Sequence, residues 1–225
     1  MTNQIRILST KKLLSNQKQF LLNANLNLIE ADFIKTESKP FEINTINENL
    51  IFTSQNAVHS LLENPDSQKI IPKLREKNVF CVGLKTKALL EENGFNVIAY
   101  TSYATDLAEI IALIYSKESY TFFSGNLRRD TLPDFVKEAN IKFNEVEVYE
   151  THLTPQKISS PLDGILFFSP SGVESYLKDN KIKKEICFCI GNTTAEALEE
   201  ATNNIVVANQ PTVENTIIQC INEYK

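Results

Sequence analysis

The chain is poor in the patterns that announce most enzyme chemistry. Its two histidines, His59 and His152, stand apart from the four cysteines and form no metal-ligand set, so each reads as an ordinary helix or linker residue. Cys81, Cys187, Cys189 and Cys220 show neither zinc-knuckle nor C-x-x-C spacing. Cys187 and Cys189 fall on one face of a strand, where they cannot bond to each other, so buried reduced thiols are expected. The six glycines supply no G-x-G-x-x-G after the first strand and no G-x-x-x-x-G-K-[ST], which leaves nucleotide binding without support. No G-x-S-x-G elbow is present. Nor does any apolar run approach the roughly 20 residues that span a bilayer. The stretch "MTNQIRILSTKK" also lacks the apolar core of a secretion leader, so a cytoplasmic protein without a membrane segment is expected. A net charge of −5 argues against a general nucleic-acid surface but not against a local basic pocket. Coiled-coil heptads are lacking too, and a monomer is the expectation.

What is present is an ordinary globular composition, 42% hydrophobic and 23% charged, in 225 residues, a length that suits two small domains. Short continuous apolar runs alternate with helical patterns: "IRILST", "LNLIEADFI", "NLIFTS", "NVFCVG", "NVIAY" and "YTFFSG", then "DGILFFS", "EICFCIG" and "NIVVANQ". Runs of that kind predict strands buried on both faces of parallel sheets, flanked by helices. Three of the strand-turn-helix units recur in the same order. Ile51-Phe52-Thr53-Ser54 matches Leu166-Phe167-Phe168-Ser169, Cys81-Val82-Gly83 matches Cys189-Ile190-Gly191, and Asn96-Val97-Ile98 matches Asn204-Ile205-Val206. This serial match indicates an internal duplication. The first strand has no place in the first half's series, so the expected α/β architecture is two similar domains, one of them discontinuous. Residues 1–35 join 154–225, residues 40–149 form the inserted domain, and 36–39 with 150–153 form a two-stranded antiparallel ladder serving as hinge.

Ligands of parallel sheets bind beyond the carboxyl ends of the strands. The loops there are "TSQN", "GLKT", "SGNLRRD", "SPSG", "GNTT" and "NQPT", rich in small hydroxyl residues. Each serine or threonine can simply cap a helix. Six loops facing one cleft would also gather amides suited to carboxylates or phosphates. Arg128 and Arg129 either pair with Asp130 or Asp134 on the surface, or one of them grips a ligand carboxylate bidentately. Tyr149, in "VYET", either packs the ladder or offers its phenol to the cleft.

Taken in order, "LIFTSQNAV", "FCVGLKT", "FFSGNLRRDTLP", "VYET", "FFSPSGVESY" and "IGNTTAEAL" followed by "PT" resemble the uroporphyrinogen-III synthase family over nearly the whole chain. The resemblance implies a two-domain α/β protein joined by a ladder. It implies a lyase that converts linear hydroxymethylbilane into uroporphyrinogen III, inverting the last pyrrole ring, with no metal and no organic cofactor. Family positions then map Tyr149 to departure of the substrate hydroxyl. They map Ser54, Thr86, Gly125, Arg128, Ser169, Ser171, Gly172, Thr193 and Thr194 to a substrate rich in carboxylates. Lys87 departs from the pattern, standing where "GNTTAEA" has alanine, and either contacts a propionate or is solvated. The resemblance also leaves room for a transient contact with the upstream deaminase. Two rivals stand beside it: a cytoplasmic two-lobed binding protein that closes on an anionic small molecule, and, more weakly, a dinucleotide oxidoreductase.

Overall fold

The computed structural model describes residues 4–225. Strand β1 (Arg6–Ser9), helix α1 (Ser15–Asn23), β2 (Asn27–Glu30) and β3 (Ile34–Ser38) come first. They are followed by β4 (Asn49–Phe52), α2 (Gln55–Glu63), a 3-10 turn (Pro65–Ser67), α3 (Ile71–Arg75), β5 (Asn78–Val82), α4 (Leu84–Glu92) and β6 (Asn96–Thr101). Next are α5 (Ala104–Ile114), β7 (Ser119–Gly125), α6 (Thr131–Glu138) and β8 (Lys142–Leu153). The chain closes with β9 (Gly164–Phe167), α7 (Pro170–Asp179), β10 (Ile186–Cys189), α8 (Asn192–Glu196), β11 (Ile205–Val207) and α9 (Val213–Glu223). Two units result, one of Met1–Lys35 with His152–Lys225, the other of Thr36–Thr151.

In the discontinuous unit the sheet order is β11-β10-β9-β1-β2, and every pairing is parallel. In the inserted unit it is β3-β8-β7-β4-β5-β6, parallel from β8 through β6. The two orders superpose when β4, β5, β6, β7 and β8 are set on β9, β10, β11, β1 and β2. The duplicated halves are therefore circular permutations of one pattern, in which the chain's first two strands fill the places that β7 and β8 fill in the other unit. The two linker segments pair side by side in antiparallel register, the Lys39 N–H donating to the Val148 carbonyl at 3.1 Å and the Thr154 N–H to the Phe33 carbonyl at 2.9 Å, and this pair is continuous with the six-stranded sheet. Strand β3 forms the edge of the six-stranded sheet beside β8, whose pairing with β7 starts at Lys142.

Burial explains the patterns. All residues of β4, β7 and β9 are buried, which is why their sequences show large apolar side chains without period-two alternation, whereas edge strand β6 alternates exposed and half-buried positions. Each sheet has a core on both faces. Phe52 stacks on Phe123 at 5.0 Å under α2 and α4, while Ile51, Phe80 and Phe122 pack under α5 and α6. Phe167 and Cys187 pack under α7 and α8, and Leu166 and Phe188 under α1 and α9. All four cysteines are buried and free, and burial pushes each thiol up to about 12. Among the described residues no helix is long and apolar enough to cross a membrane.

Candidate active site

Strand order reverses between β4 and β7 in one unit and between β9 and β1 in the other. At such a switch point the loops leave to opposite faces of the sheet and open a crevice beyond the carboxyl ends of the strands. In the inserted unit the crevice is a pocket of about 200 Å³. Thr53 and Ser54 reach it from the end of β4, Arg128 and Arg129 from the loop after β7, and Tyr149 from β8. Cavities of about 650 Å³ and 400 Å³ lie instead at the amino ends of strands, the first beside Lys157, Lys178 and Lys183, the second beside Lys77, Lys117 and Lys142. Neither meets a helix N-terminus, so the smaller pocket is the chemically suited one.

A register shift aims Tyr149. Pairing runs Phe123↔Val146 and Ser124↔Glu147, then skips to Gly125↔Tyr149. Strict alternation would put residue 149 on the face of Phe143. The bulge instead lets Tyr149 pack with Val148 against the Phe52 cluster, while its phenol enters the pocket. Burial raises the phenol above its ordinary value, and a hydrogen bond with Ser54 partly offsets that. Ser54 is the N-cap of α2, its Oγ accepting from the Asn56 N–H at 3.2 Å. With an acceptor site so occupied, Ser54 has its own proton to give to the phenol oxygen, which frees the phenol proton for a ligand.

Arg128 lines the pocket, but its guanidinium fork is already filled. Nε donates to Glu145 Oε1 at 2.7 Å, Nη2 to Glu145 Oε2 at 2.9 Å, and Nη1 to Asp130. The Glu145 carboxylate also accepts from Ser124 Oγ. Burial pushes the Glu145 carboxyl up, yet the Arg128 and Ser124 hydrogen bonds outweigh it and leave it below the ordinary range. The bidentate partner of Arg128 is thus a residue of this chain, Glu145, where the sequence leaves open either surface aspartates or a ligand. Lys87 is also engaged: Nζ pairs with Glu91 at 2.7 Å and lies 5.5 Å above the Tyr100 ring. Thr86 is buried in the first turn of α4 behind Gly83, whose φ of 89° lies in the left-handed region.

The equivalent crevice of the other unit holds Ser169, Ser171, Gly172 and Thr10. Ser169 Oγ caps α7 by accepting from the Gly172 N–H at 3.0 Å and lies 3.0 Å from Ser171 Oγ. Thr10 Oγ1 donates to the Leu166 carbonyl at 2.8 Å, tying the end of β1 to β9. A Cβ on buried Gly172 would meet Ser169 Oγ at 3.3 Å and Thr10 Oγ1 at 3.8 Å. Thr193 and Thr194 begin α8 beside β10; Thr194 is buried, its N–H bonded to the Gly191 carbonyl at 3.0 Å.

Sequence reasoning missed Glu145, Ser124 and Thr10. A signal for Glu145 existed in the duplication. Glu145 pairs with Phe122, which pairs with Ile51; Glu30 pairs with Ser9, which pairs with Leu166. Since Ile51 matches Leu166, the two glutamates hold one lattice position. Both brace the loop after the switch-point strand: Glu30 accepts from the Leu13 N–H at 2.7 Å and pairs with Lys18 at 2.7 Å.

The family model for uroporphyrinogen-III synthase HemD matches residues 25–218, most of the chain. The chain belongs to the uroporphyrinogen-III synthase family. A porphyrin biosynthesis protein HemD of Ruminiclostridium josui is 24% identical over 186 residues, covering 75% of this chain and 36% of that protein. The chain thus matches about a third of the length of that curated relative. Among solved structures, uroporphyrinogen-III synthetase from Helicobacter pylori 26695 aligns with TM-score 0.73 at 21% identity, over 98% of this chain and all of that one. A mutant uroporphyrinogen III synthase of Thermus thermophilus aligns with TM-score 0.68 at 14% identity, again over 98% of this chain and 100% of its own. These likenesses establish the fold shared with the family. Among the described residues no group of three or more His, Cys, Asp or Glu side chains is placed to hold a metal ion.

Proposed function

We propose that this family member cyclises hydroxymethylbilane to uroporphyrinogen III, inverting the terminal pyrrole ring, with Tyr149 assisting departure of the hydroxyl. The observation that carries the reading is the Tyr149 phenol, placed with Ser54, the capping serine of α2, in the wall of a switch-point pocket, where burial favours its protonated form. The C–O bond of the hydroxymethyl group breaks, the hydroxyl takes up a proton along the Tyr149 hydrogen bond and leaves as water, and the pyrrole nitrogen lone pair stabilises the azafulvenium cation. Closure through a spiro intermediate, fragmentation and reclosure follow, and the proton lost on rearomatisation restores the phenol. No strong nucleophile is required. The demand is for folding the chain of rings and holding a cation, which positioned donors and acceptors meet. Capping Ser54 and Ser169, the Ser171 hydroxyl, Thr86, Thr193 and Thr194 at their helix starts, and the amide of Gly125 supply polar groups for the substrate carboxylates, while Gly172, its own N–H given to Ser169 Oγ, leaves its side-chain space open beside Ser169 and Thr10. Arg128, its charge held in place by Glu145, offers its remaining N–H groups.

Within the same reading the enzyme is a lyase needing no metal or organic cofactor, acting in the cytoplasm as a monomer. A labile substrate that also closes spontaneously makes a transient contact with the deaminase that releases it advantageous. The deciding experiment supplies purified protein with freshly generated hydroxymethylbilane and separates the oxidised products by isomer. Type III product is expected, and Tyr149→Phe should lower kcat by roughly 10²-fold, within the range of general acid catalysis. Type I product alone, at the uncatalysed rate, would refute the activity and favour the binding-protein reading.

A further inference from the structure

We infer that Gly125 is a positioning residue for the proposed reaction: its missing side chain is the space in which the Tyr149 ring lies, and any side chain there expels the phenol from Ser54. This rests on the reading of Tyr149 as the group that assists hydroxyl departure. A Cβ built on Gly125 would come 2.3 Å from both Cε2 and Cζ of Tyr149 and 2.9 Å from Cδ2, so the three nearest atoms all belong to that one ring. Real Cβ atoms essentially never approach so closely, and the atoms met are the middle of a rigid ring rather than the tip of a flexible chain. The requirement is for space rather than backbone freedom, because the positive-φ glycines of the described chain are Gly83 and Gly94, not Gly125.

The ring cannot escape by a shift of its strand. Asn126 fastens the backbone at and just after residue 149: its N–H donates to the Tyr149 carbonyl at 3.3 Å, and its Oδ1 accepts from the Thr151 N–H at 2.8 Å. Gly125 in turn is fixed in fully buried β7, and its carbonyl accepts from the Arg128 N–H at 3.1 Å. With both backbones held, an added methyl can be relieved only by rotation of the Tyr149 side chain, which breaks its hydrogen bond with Ser54. The bulge that places Tyr149 opposite Gly125 thus works only with glycine as the partner. The family resemblance implies substrate contact at Gly125, and the geometry adds a steric role at the same residue.

Two cycles of variants test this. In the first, kcat and KM are measured for wild type, Gly125→Ala, Tyr149→Phe and the double variant. Gly125→Ala should lower kcat by about the factor seen for Tyr149→Phe, roughly 10²-fold, with KM changed less than about threefold. Added to Tyr149→Phe it should lower kcat no further, since the phenol it displaces is already gone. Unchanged kcat in Gly125→Ala, or losses that multiply in the double variant, would overturn the inference. The second cycle reads melting temperature and is independent of activity. Gly125→Ala should lower the melting temperature by several degrees when the ring is present and by less than about one degree in a Tyr149→Ser background, where the ring is absent. Equal losses in both backgrounds would overturn the steric coupling even if Gly125→Ala alone is too unstable to assay. Coupled melting with no type III product from wild type would refute the proposed reaction while leaving the placement of the ring intact.

Discussion

Replacing Glu145 with glutamine should loosen the pocket wall by an amount the contacts allow to be worked out. The carboxylate binds Nε and Nη2 of Arg128 at 2.7 and 2.9 Å, and both side chains are only 26% exposed. Glutamine keeps one acceptor but turns an NH₂ group toward Nη2, setting donor against donor. Exposed ion pairs contribute about 0.2–1 kcal/mol, whereas breaking a fully buried pair costs about 3–5 kcal/mol. A half-covered bidentate pair that leaves Arg128 with Asp130 belongs between these limits, at about 1–2 kcal/mol. For a chain of this size that corresponds to a drop of roughly 2–8 °C in melting temperature. The pH dependence follows from the depressed carboxyl. Its folded-state pKa lies below the unfolded value, so its contribution is present above the unfolded pKa and is lost as pH falls through the folded one. The gap between wild type and Glu145→Gln should therefore be full near pH 7 and shrink below about pH 4.5. Thermal melts followed by circular dichroism at pH 7, 5.5 and 3.8 measure it. A gap under about 0.3 kcal/mol at pH 7, or one independent of pH, would refute the account.

Three further outcomes are expected. Arg128→Ala leaves Glu145 unpaired beside the pocket, where its charge repels substrate carboxylates; apparent KM should rise several-fold and recover in part in Arg128→Ala/Glu145→Ala, as steady-state kinetics would show. Because burial raises the Tyr149 phenol, its proton is retained through neutral pH, and kcat should show no alkaline fall before the ordinary phenol pKa of about 10; a fall near pH 7–8 that vanishes in Tyr149→Phe would contradict this. Ser175 Oγ on α7 is buried with no hydrogen-bond partner among the described residues, so Ser175→Ala should be neutral or stabilise by up to about 1 kcal/mol in urea titration, and a loss of that size would reveal a missed partner.

Much of the α/β frame was legible because the central strands are buried on both faces and advertise themselves as runs such as "LIFTS" and "ILFFS". Repetition of those runs revealed the duplication. Short elements were lost: α3, five residues with Pro72 in its first turn, carries too little periodicity to separate it from a loop. The stretch "TTAEALEEAT" has the composition of one continuous helix, yet α8 stops at Glu196 and the chain continues as turns. At the site, Tyr149 and the capping serines were visible as residue types in a suggestive order. Glu145 was not, since one glutamate in a mixed strand looks like any solvated residue until the sheet register sets it beside Arg128. Nor does any pattern in "VEVYET" betray a skipped residue between Glu147 and Tyr149.

The permuted sheets have a consequence for biogenesis. The inserted unit is contiguous and can complete its sheet as soon as β8 has left the ribosome. In the other unit β1 lies between β9 and β2, and its partner Gly164 lies far along the chain from Ile7. The apolar segment "RILS" must wait, unpaired on one edge, through synthesis of the whole intervening unit. Such a long-range parallel pairing is intrinsically slow to form and exposes strand edge meanwhile. Folding of the first 35 residues should then lag translation, with chaperone dependence and aggregation of truncated chains traceable to that one strand.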